Sequence, residues 1–270
     1  MKVLVMGSNG MAGHMVTSYL SDKYEVTTLA RNNADINIDV CDFSSLKNIL
    51  TNYSFDFIIN CIGMLVLESA RNPDLANRVN GHFPKYLEKL YENTETKIIH
   101  ISTDCVFSGD LGSYTEYSEP DATTVYGRSK AIGEINNTKD ITLRTSIIGP
   151  EISDHRTGLF EWFINSESSV SGWTNAMWNG ITTLQLAKVI ETVIENPSVC
   201  GLHHPTTEEH ISKKDLLELI NLEYALEKQV LEQEAPYDVD KTLINSKQFF
   251  SIPTYEQQLK ELREYGNLLR

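Results

Sequence analysis

The chain has 270 residues, of which 41% are hydrophobic and 22% are charged, so it can bury a sizeable core. Its 23 basic and 37 acidic side chains give a formal charge of −14, which makes it a poor candidate for binding nucleic acid or an anionic membrane, and it has no apolar run long enough to cross one. The four cysteines are scattered, without CxxC pairs or clusters with histidine, which predicts reduced thiols, a cytoplasmic location and no metal site.

Short apolar runs alternate with helical patterns over the first 150 residues. We predict strands at 2–7, 25–31, 35–40, 55–63, 97–102 and 140–146, and helices at 11–22, 43–53 and 73–93. The strands are almost continuously apolar, which is typical of parallel strands covered by helices on both faces. The sequence therefore predicts an α/β fold with a Rossmann-type doubly wound parallel sheet over residues 1–150.

The pattern changes after about residue 150, where helical segments dominate. We predict helices at 158–165, 184–195, 212–227 and 256–266. Residues 151–270 are therefore expected to form a smaller, mainly helical substrate-binding region. We expect this region to interleave with the last strands of the sheet.

A glycine-rich segment, Gly7-Ser-Asn-Gly10-Met-Ala-Gly13, lies between the first predicted strand and the first predicted helix. Gly7 permits a tight turn, Gly10 lets the backbone approach a phosphate, and Gly13 lets the helix pack close to the strand. The helix N-terminus favours an anion. The segment predicts a site for the pyrophosphate of a dinucleotide, formed by Gly7, Asn9, Gly10, Met11 and Gly13.

The ends of the following strands are expected to complete this dinucleotide site. Arg31 ends the second strand. A carboxylate at this position would bind the ribose hydroxyls of NADH, whereas a guanidinium would bind the 2′-phosphate of NADPH. NADPH is therefore favoured as the cofactor, with NADH as the alternative. We assign Asp39 and Val40 to the adenine edge, and Cys61 and Gly63 to the backbone beside the cofactor.

Tyr126 and Lys130 are four residues apart on a predicted helix and so share one face. A cation beside a phenol favours the phenolate and is expected to lower the pKa of Tyr126. The pair can protonate an alkoxide that forms from a carbonyl, while Lys130 also bonds the nicotinamide ribose. Thr103 follows the fifth strand and offers a hydroxyl to the same carbonyl, with Ser102 as the near alternative.

These motifs together resemble the short-chain dehydrogenase/reductase superfamily, in its extended branch of nucleotide-sugar enzymes, and most of all the dTDP-4-dehydrorhamnose reductase group. The resemblance covers essentially the whole chain and is strongest in GSNGMAG (7–13), STDCVFSG (102–109), YTEYSEPDATTVYGRSKAIGE (114–134) and LRTSIIGP (143–150). It implies that Thr103, Tyr126 and Lys130 form the catalytic triad. It also implies that Asn80 supports the proton relay of the superfamily.

Two positions depart from the pattern of these reductases. They carry Tyr where this chain has Cys105, and Trp beside the sugar where this chain has Ile147. We therefore expect weak activity on dTDP-4-keto-L-rhamnose and a preference for a different nucleotide-linked 4-keto sugar. Trp173 and Trp178 are expected to supply replacement aromatic surface, and Asp104 to bond a sugar hydroxyl.

The resemblance implies an NAD(P)H-dependent reductase of the C4 keto group of a nucleotide-linked 4-keto-6-deoxy sugar, acting in deoxysugar and surface polysaccharide biosynthesis. The expected partner is a nucleotide-diphosphate sugar, and a homodimer is one expected assembly. Two alternatives stay open: an epimerase of the same superfamily that keeps NAD bound, and a non-catalytic dinucleotide-binding regulatory subunit. A dehydratase is disfavoured, because dehydratases of this branch carry Asp-Glu after the threonine and this chain has Asp104-Cys105.

We predict that Arg31→Ala weakens NADPH binding at least tenfold and NADH binding little. A charge-assisted hydrogen bond to a phosphate is worth roughly 1.5–3 kcal/mol, and about 1.4 kcal/mol is a factor of ten in affinity. Fluorescence titration of both cofactors into both proteins measures the effect. Equal losses for the two cofactors would show that Arg31 does not recognise the 2′-phosphate.

Overall fold

The computed structural model describes residues 1–152 and 158–268, and within these ranges seven parallel strands form a central sheet. The strands are β1 (Lys2–Met6), β2 (Glu25–Ala30), β3 (Ile36–Asn37), β4 (Phe57–Asn60), β5 (Lys97–Ser102), β6 (Ile141–Arg144) and β11 (Gly201–His203). Their order across the sheet is β11-β6-β5-β4-β1-β2-β3, the doubly wound arrangement. The predicted α/β class is confirmed, and the carboxyl ends of all these strands meet at one edge.

Helices cover both faces of the sheet and bury an apolar core on each. They are α1 (Met11–Ser21), α2 (Phe43–Leu50), α3 (Val66–Arg71), α4 (Pro73–Ala76), α5 (Phe83–Tyr91), α6 (Val125–Gly133) and α8 (Thr183–Glu195). The core under α1 and α8 includes Val5, Val16, Ile99 and Ile190, and the opposite core includes Leu4, Leu46, Ile58 and Leu87. Because strand residues alternate between these two cores, the strands read as continuously apolar.

The single helix predicted over 73–93 is interrupted by a π-helical turn, Asn77–His82, between α4 and α5. Pro84 has no N–H to donate to the carbonyl of Asn80, four residues earlier, and its ring would clash with that carbonyl in a regular α-helix. A wider turn accommodates the proline. The side chain of Asn80 is fully buried at this turn.

The second half of the chain contains three further helices in the described residues, α7 (Leu159–Asn165), α9 (Lys213–Glu223) and α10 (Tyr255–Leu268). From residue 147 onward the chain also forms short strands that the sequence did not predict: β7 (Ile147–Ile148), β8 (Ser169–Trp173), β9 (Ala176–Trp178), β10 (Ile181–Thr182), β12 (Ile211–Ser212), β13 (Gln229–Gln233) and β14 (Val239–Asp240). From this half of the chain, β11 pairs with β6 in the main sheet and α8 packs on one face of it. The boundary at residue 150 stays a prediction.

Several predicted elements are longer than the observed ones. The third strand spans two residues instead of 35–40, and the helix predicted over 212–227 ends at Glu223. Apolar and helix-forming residues continue past both ends, and the chain turns where hydrogen bonding stops. The sequence pattern therefore located these elements but not their limits.

The glycine turn after β1 is set by close backbone contacts. Gly7 has a φ of +79° and its N–H donates to the carbonyl of Leu29. Gly10 donates to the carbonyl of Gly7 at 3.0 Å and precedes the first residue of α1. A Cβ on Gly13 would lie 2.1 Å from the Gly7 carbonyl oxygen, so α1 packs against the turn only because this residue has no side chain.

We predict that Gly13→Ala lowers the free energy of unfolding, because the added methyl meets backbone atoms that cannot move aside. Overpacking of this kind costs about 1–3 kcal/mol, which lowers the Tm by several degrees in a chain of this size. Thermal denaturation followed by circular dichroism measures the change. Gly266→Ala is the matched control, since nothing lies within 4 Å of its Cβ, and it should raise the Tm slightly. A Gly13→Ala protein as stable as wild type contradicts the prediction.

Candidate active site

The glycine turn and the start of α1 fit a dinucleotide pyrophosphate. Ser8 is buried and its Oγ has no hydrogen-bond partner among the described residues, so a polar ligand is a natural partner for it. Asn9 Nδ2 donates to the carbonyl of Asn32, which ties the turn to the end of β2. Met11 is the first residue of α1. The N-terminal N–H groups of this helix are directed toward the turn.

The other predicted cofactor residues lie along the same carboxyl edge. Arg31 is exposed and makes no hydrogen bond or ion pair within residues 1–152 and 158–268, so its guanidinium is available to a phosphate. Asp39 is exposed and accepts a hydrogen bond from the Cys41 N–H, and Val40 packs into the core. These roles in cofactor binding stay predictions.

Two predicted cofactor residues follow β4. Cys61 is half-buried and packs against the core under α1 and α8. Burial raises the pKa of its thiol to about 12, so the thiol is neutral. Gly63 is exposed, and a Cβ on this residue would lie 3.8 Å from the Asn80 side chain. A Cβ on Gly7 would lie 3.1 Å from the Ile62 nitrogen, so the chain after β4 closes over the glycine turn.

Thr103 and Tyr126 come together at the end of β5. Thr103 is buried, donates from Oγ1 to Asp104 Oδ1 at 3.0 Å and accepts from the Cys105 N–H. Burial raises the pKa of Tyr126, as do the neighbouring Cys105 and Asp104, and a hydrogen bond with Thr103 opposes the rise. The phenol is therefore protonated at neutral pH, the form that a proton donor requires.

The structure corrects the expectation that Lys130 lowers the pKa of Tyr126, because burial of the phenol dominates. Lys130 is itself buried, and its Nζ donates to the carbonyl of Ile101 at 2.6 Å. Burial lowers the pKa of Lys130 to about 8, against the attraction of Glu134. An ammonium has three donors, so two remain for a ribose or a phenol.

Asn80 connects the chain after β4 to helix α6. Its Oδ1 accepts from the Met64 N–H at 2.7 Å, and its Nδ2 donates to the Met64 carbonyl and to Ser129 Oγ. Ser129 is the residue before Lys130. Asn80 therefore supports the position of helix α6, and its part in a proton relay stays a prediction.

A buried polar network behind the triad was missed by the sequence analysis. Glu134 accepts from Ser102 Oγ and forms a two-bond ion pair with Arg144, whose guanidinium also contacts His204. Ser102 is thus engaged away from the site, which leaves Thr103 as the hydroxyl beside Tyr126. An ion pair buried to this degree needs both partners, since removing either would leave an uncompensated charge.

Trp178 and Lys213 bring the second half of the chain to this edge. Trp178 is 3% exposed, and its indole N–H donates to Ser146 Oγ at 2.8 Å, just after β6. The Lys213 Nζ lies 4.7 Å from the centre of the Trp178 ring. Lys213 was missed by the sequence analysis. The available signal was a lysine at the first position of a helix, where a positive charge is unfavourable.

The remaining predicted substrate residues are placed differently. Cys105 is half-buried, and burial raises the pKa of its thiol to about 12. Ile147 is half-buried, lies opposite Ile181 in the pairing of β7 with β10, and packs against the core under α1 and α8. Trp173, which was predicted together with Trp178 to supply aromatic surface, is 47% exposed on β8. The sugar contacts assigned to Cys105, Ile147 and Trp178 stay predictions.

A groove of about 800 Å³ lies at the opposite, amino edge of the sheet and includes Lys97 and Lys139 in its lining. Lys97 donates to the carbonyls of Lys139, Pro197 and Val199. Because the protein itself satisfies this charge, the groove does not resemble a ligand site. In the described ranges no group of three His, Cys, Asp or Glu side chains could hold a metal ion, and no helix is long and apolar enough to cross a membrane.

Comparison with known proteins places these features in a family. The family described as RmlD substrate binding domain matches residues 1–243. A probable low-salt glycan biosynthesis reductase of Haloferax volcanii is 26% identical over 260 residues, covering 89% of this chain and 86% of that protein. The dTDP-4-dehydrorhamnose reductase of Streptomyces griseus is 31% identical over 134 residues, covering 48% of this chain and 43% of that enzyme.

Among solved structures, the dTDP-4-dehydrorhamnose reductase of Bacillus anthracis in complex with NADP superposes with a TM-score of 0.84. It is 20% identical, and the match covers 98% of this chain and 99% of that one. At this identity the likeness concerns the fold, whereas the family match covers most of the sequence. The protein therefore belongs to the RmlD substrate binding domain family, within the extended short-chain dehydrogenase/reductases, as its motifs predicted.

Proposed function

We propose that this protein is an NADPH-dependent reductase of the C4 keto group of a nucleotide-linked 4-keto-6-deoxy sugar. The observation that carries the proposal is the pairing of the buried Thr103 with the half-buried Tyr126 at the carboxyl edge of the sheet, with the phenol held in its protonated form. Lys130 lies on the same helix as Tyr126, and the glycine turn lies two strands away across the edge.

When bound, the nicotinamide cofactor supplies a hydride to the carbonyl carbon. The N–H groups at the start of α1 and Ser8 Oγ would hold its pyrophosphate, and Arg31 would hold the 2′-phosphate. The NADP found in the Bacillus anthracis relative supports NADPH over NADH. Lys130 would use its remaining donors on the nicotinamide ribose.

Thr103 and Tyr126 then act on the carbonyl oxygen of the sugar. Thr103 has one hydroxyl proton, which is now donated to Asp104, so this hydroxyl must turn toward the substrate to polarise the carbonyl. Tyr126 gives its phenolic proton to the oxygen as the negative charge develops. The buried setting strengthens both interactions, because little water competes for the oxygen.

The rest of the biological setting belongs to the same proposal. The names of the relatives support a role in glycan or deoxysugar biosynthesis, with a nucleotide-diphosphate sugar as the partner. The proposal also includes a homodimer, and a cytoplasmic location that the scattered cysteines support. Light scattering of the purified chain would measure the assembly directly.

Two other functions would give different results in the experiment described below. An epimerase of the same superfamily would keep its NAD bound and consume no NADPH, and a regulatory subunit would bind the dinucleotide without turnover. A dehydratase is a weaker candidate, since Cys105 stands in place of the second acid and burial raises its pKa to about 12.

The proposed function is tested with a panel of dTDP-, UDP- and GDP-linked 4-keto-6-deoxy sugars, with NADPH oxidation followed at 340 nm. We expect turnover with at least one sugar, and a higher kcat/KM for another sugar than for dTDP-4-keto-L-rhamnose. The expectation follows from Ile147 and Cys105, since loss of an aromatic surface matters at about 0.5–1.5 kcal/mol beyond area burial. If dTDP-4-keto-L-rhamnose is the best substrate, the pocket argument is wrong. If no sugar is reduced, the proposed reductase activity is wrong.

We predict that Tyr126→Phe loses about 10²–10⁴-fold in single-turnover rate while NADPH affinity stays near wild type, because only the proton donor is removed. Tyr117→Phe is the matched control, since Tyr117 is 77% exposed and should retain full activity. Rapid-mixing measurements of NADPH oxidation give the rate, and cofactor titration gives the affinity. A Tyr126→Phe protein with nearly full rate rules out Tyr126 as the acid.

A further inference from the structure

Two buried polar side chains, Asn60 and His100, lie opposite each other near the carboxyl ends of β4 and β5. Both are 0% exposed, and Asn60 Nδ2 lies 3.1 Å from His100 Nδ1. The same amide accepts a hydrogen bond from the Ile62 N–H at its Oδ1, also at 3.1 Å. The pair therefore joins the middle of the sheet to the chain that follows β4.

These contacts define the protonation state of His100. A backbone N–H can only donate, so the amide atom next to Ile62 must be the oxygen and the atom that faces His100 must be the nitrogen. His100 Nδ1 must then accept, which places the ring proton on Nε2. Burial lowers the pKa of His100 well below its ordinary value, and the charges of Lys130 and Lys85 act in the same direction, so the ring is neutral as this bond requires.

The other ring nitrogen of His100 is left without compensation. His100 Nε2 is buried and has no hydrogen-bond partner among residues 1–152 and 158–268. A buried N–H without an acceptor opposes folding, and departures of this kind concentrate at functional sites. Within the same residues, the hydrogen bond that the ring makes is the one through Nδ1 to Asn60.

The segment that Asn60 holds lies directly against the glycine turn. The Cys61 N–H donates to the Met6 carbonyl at 3.0 Å, and the Ile62 N–H is fixed by Asn60. A Cβ on Gly7 would lie 3.0 Å from Ile62 Cγ1 and 3.1 Å from the Ile62 nitrogen. Because Gly7 begins the turn assigned to the dinucleotide pyrophosphate, a shift of Ile62 would change the shape of that site.

We propose that His100 is a positioning residue for the dinucleotide, which holds the Asn60 amide in the orientation that fixes Ile62 against the glycine turn. This inference rests on the proposed function, in which that turn binds the pyrophosphate of the cofactor. Without the acceptor at Nδ1, the Asn60 amide can rotate and release the Ile62 N–H. Because the pyrophosphate is common to both cofactors, NADPH and NADH should lose affinity to the same extent, in contrast to the loss expected at Arg31.

The test measures NADPH and NADH binding by titration calorimetry, without a sugar substrate. His100→Leu removes the acceptor and keeps a side chain of similar size, so both cofactors should bind about threefold to tenfold more weakly, as expected for the loss of one hydrogen bond. His100→Asn places an oxygen as many bonds from the backbone as Nδ1 and should restore most of the affinity. His100→Gln carries its oxygen one bond farther out and should not restore it.

His203→Leu is the matched control. His203 is also buried on a strand of the main sheet, its Nε2 contacts the Cys200 carbonyl, and its Nδ1 has no partner in the described parts of the chain. This change should lower the Tm and leave the affinities for both cofactors unchanged. A loss of affinity that only reflects a less stable fold would appear in both leucine variants.

A second measurement reads the ring directly in the folded wild-type protein. Long-range ¹H–¹⁵N correlation spectra distinguish the two neutral tautomers of histidine, and the His100→Asn spectrum assigns the His100 signals. We expect a neutral His100 with its proton on Nε2 at neutral pH. A proton on Nδ1 would overturn the inference, since Asn60 could not then donate to the ring.

The binding results separate this inference from the proposed function. Wild-type affinity in His100→Leu, equal affinities in His100→Asn and His100→Gln, or an equal loss in His203→Leu would overturn the inference and leave the proposed function in place. A wild-type protein that binds neither cofactor contradicts the inference and the proposed function together.

Discussion

The close approach of helix α6 to its neighbours is the constraint on which the site depends. A Cβ on Gly127 would lie 2.0 Å from the Cys105 carbonyl oxygen, and a Cβ on Gly133 would lie 2.0 Å from the Asn80 carbonyl oxygen. Two glycines six residues apart thus let one helix touch both the chain after β5 and the π-turn. This contact brings Tyr126 beside Thr103. Neither glycine is catalytic, yet any side chain at either position would push the phenol away from its partner.

Burial at this contact sets the charges of the site. The pKa of Tyr126 is raised and the pKa of Lys130 is lowered to about 8, in each case mainly because burial disfavours the charged form. For a reductase this arrangement is useful, since the acid must be protonated before the hydride arrives. The nearby charge of Asp104 acts in the same direction on Tyr126. The site therefore keeps its proton until an oxyanion forms.

Much of this could be predicted from the sequence. Local patterns can be recognised without knowledge of the fold. They include the glycine turn, the alternating strands and helices, and the order of Thr103, Tyr126 and Lys130. The π-turn at Asn80 was missed although Pro84 was visible, because the apolar periodicity of the segment outweighed one proline. The direction of the pKa shift at Tyr126 was wrong, because sequence spacing shows a neighbouring cation but not the degree of burial.

Contacts between the two halves of the chain could not be predicted. Lys213 lies 110 residues after Thr103 and meets Trp178 only because β12 pairs with β9, a strand of three residues without a clear periodicity. The sugar contact of Ile147 was predicted only from its position in the family pattern, and in the structure this side chain packs against the core. Such long-range placements depend on register, which short strands specify weakly in sequence.

The central claim is that this chain transfers a hydride from NADPH to C4 of a nucleotide-linked keto sugar. The most direct measurement uses NADPH deuterated separately at each face of nicotinamide C4, with NMR and mass spectrometry of the sugar product. We expect one deuterated face to deliver its label to C4 of the sugar with a single stereochemistry. Product without deuterium from either labelled cofactor, as an epimerase with bound NAD would give, contradicts the account.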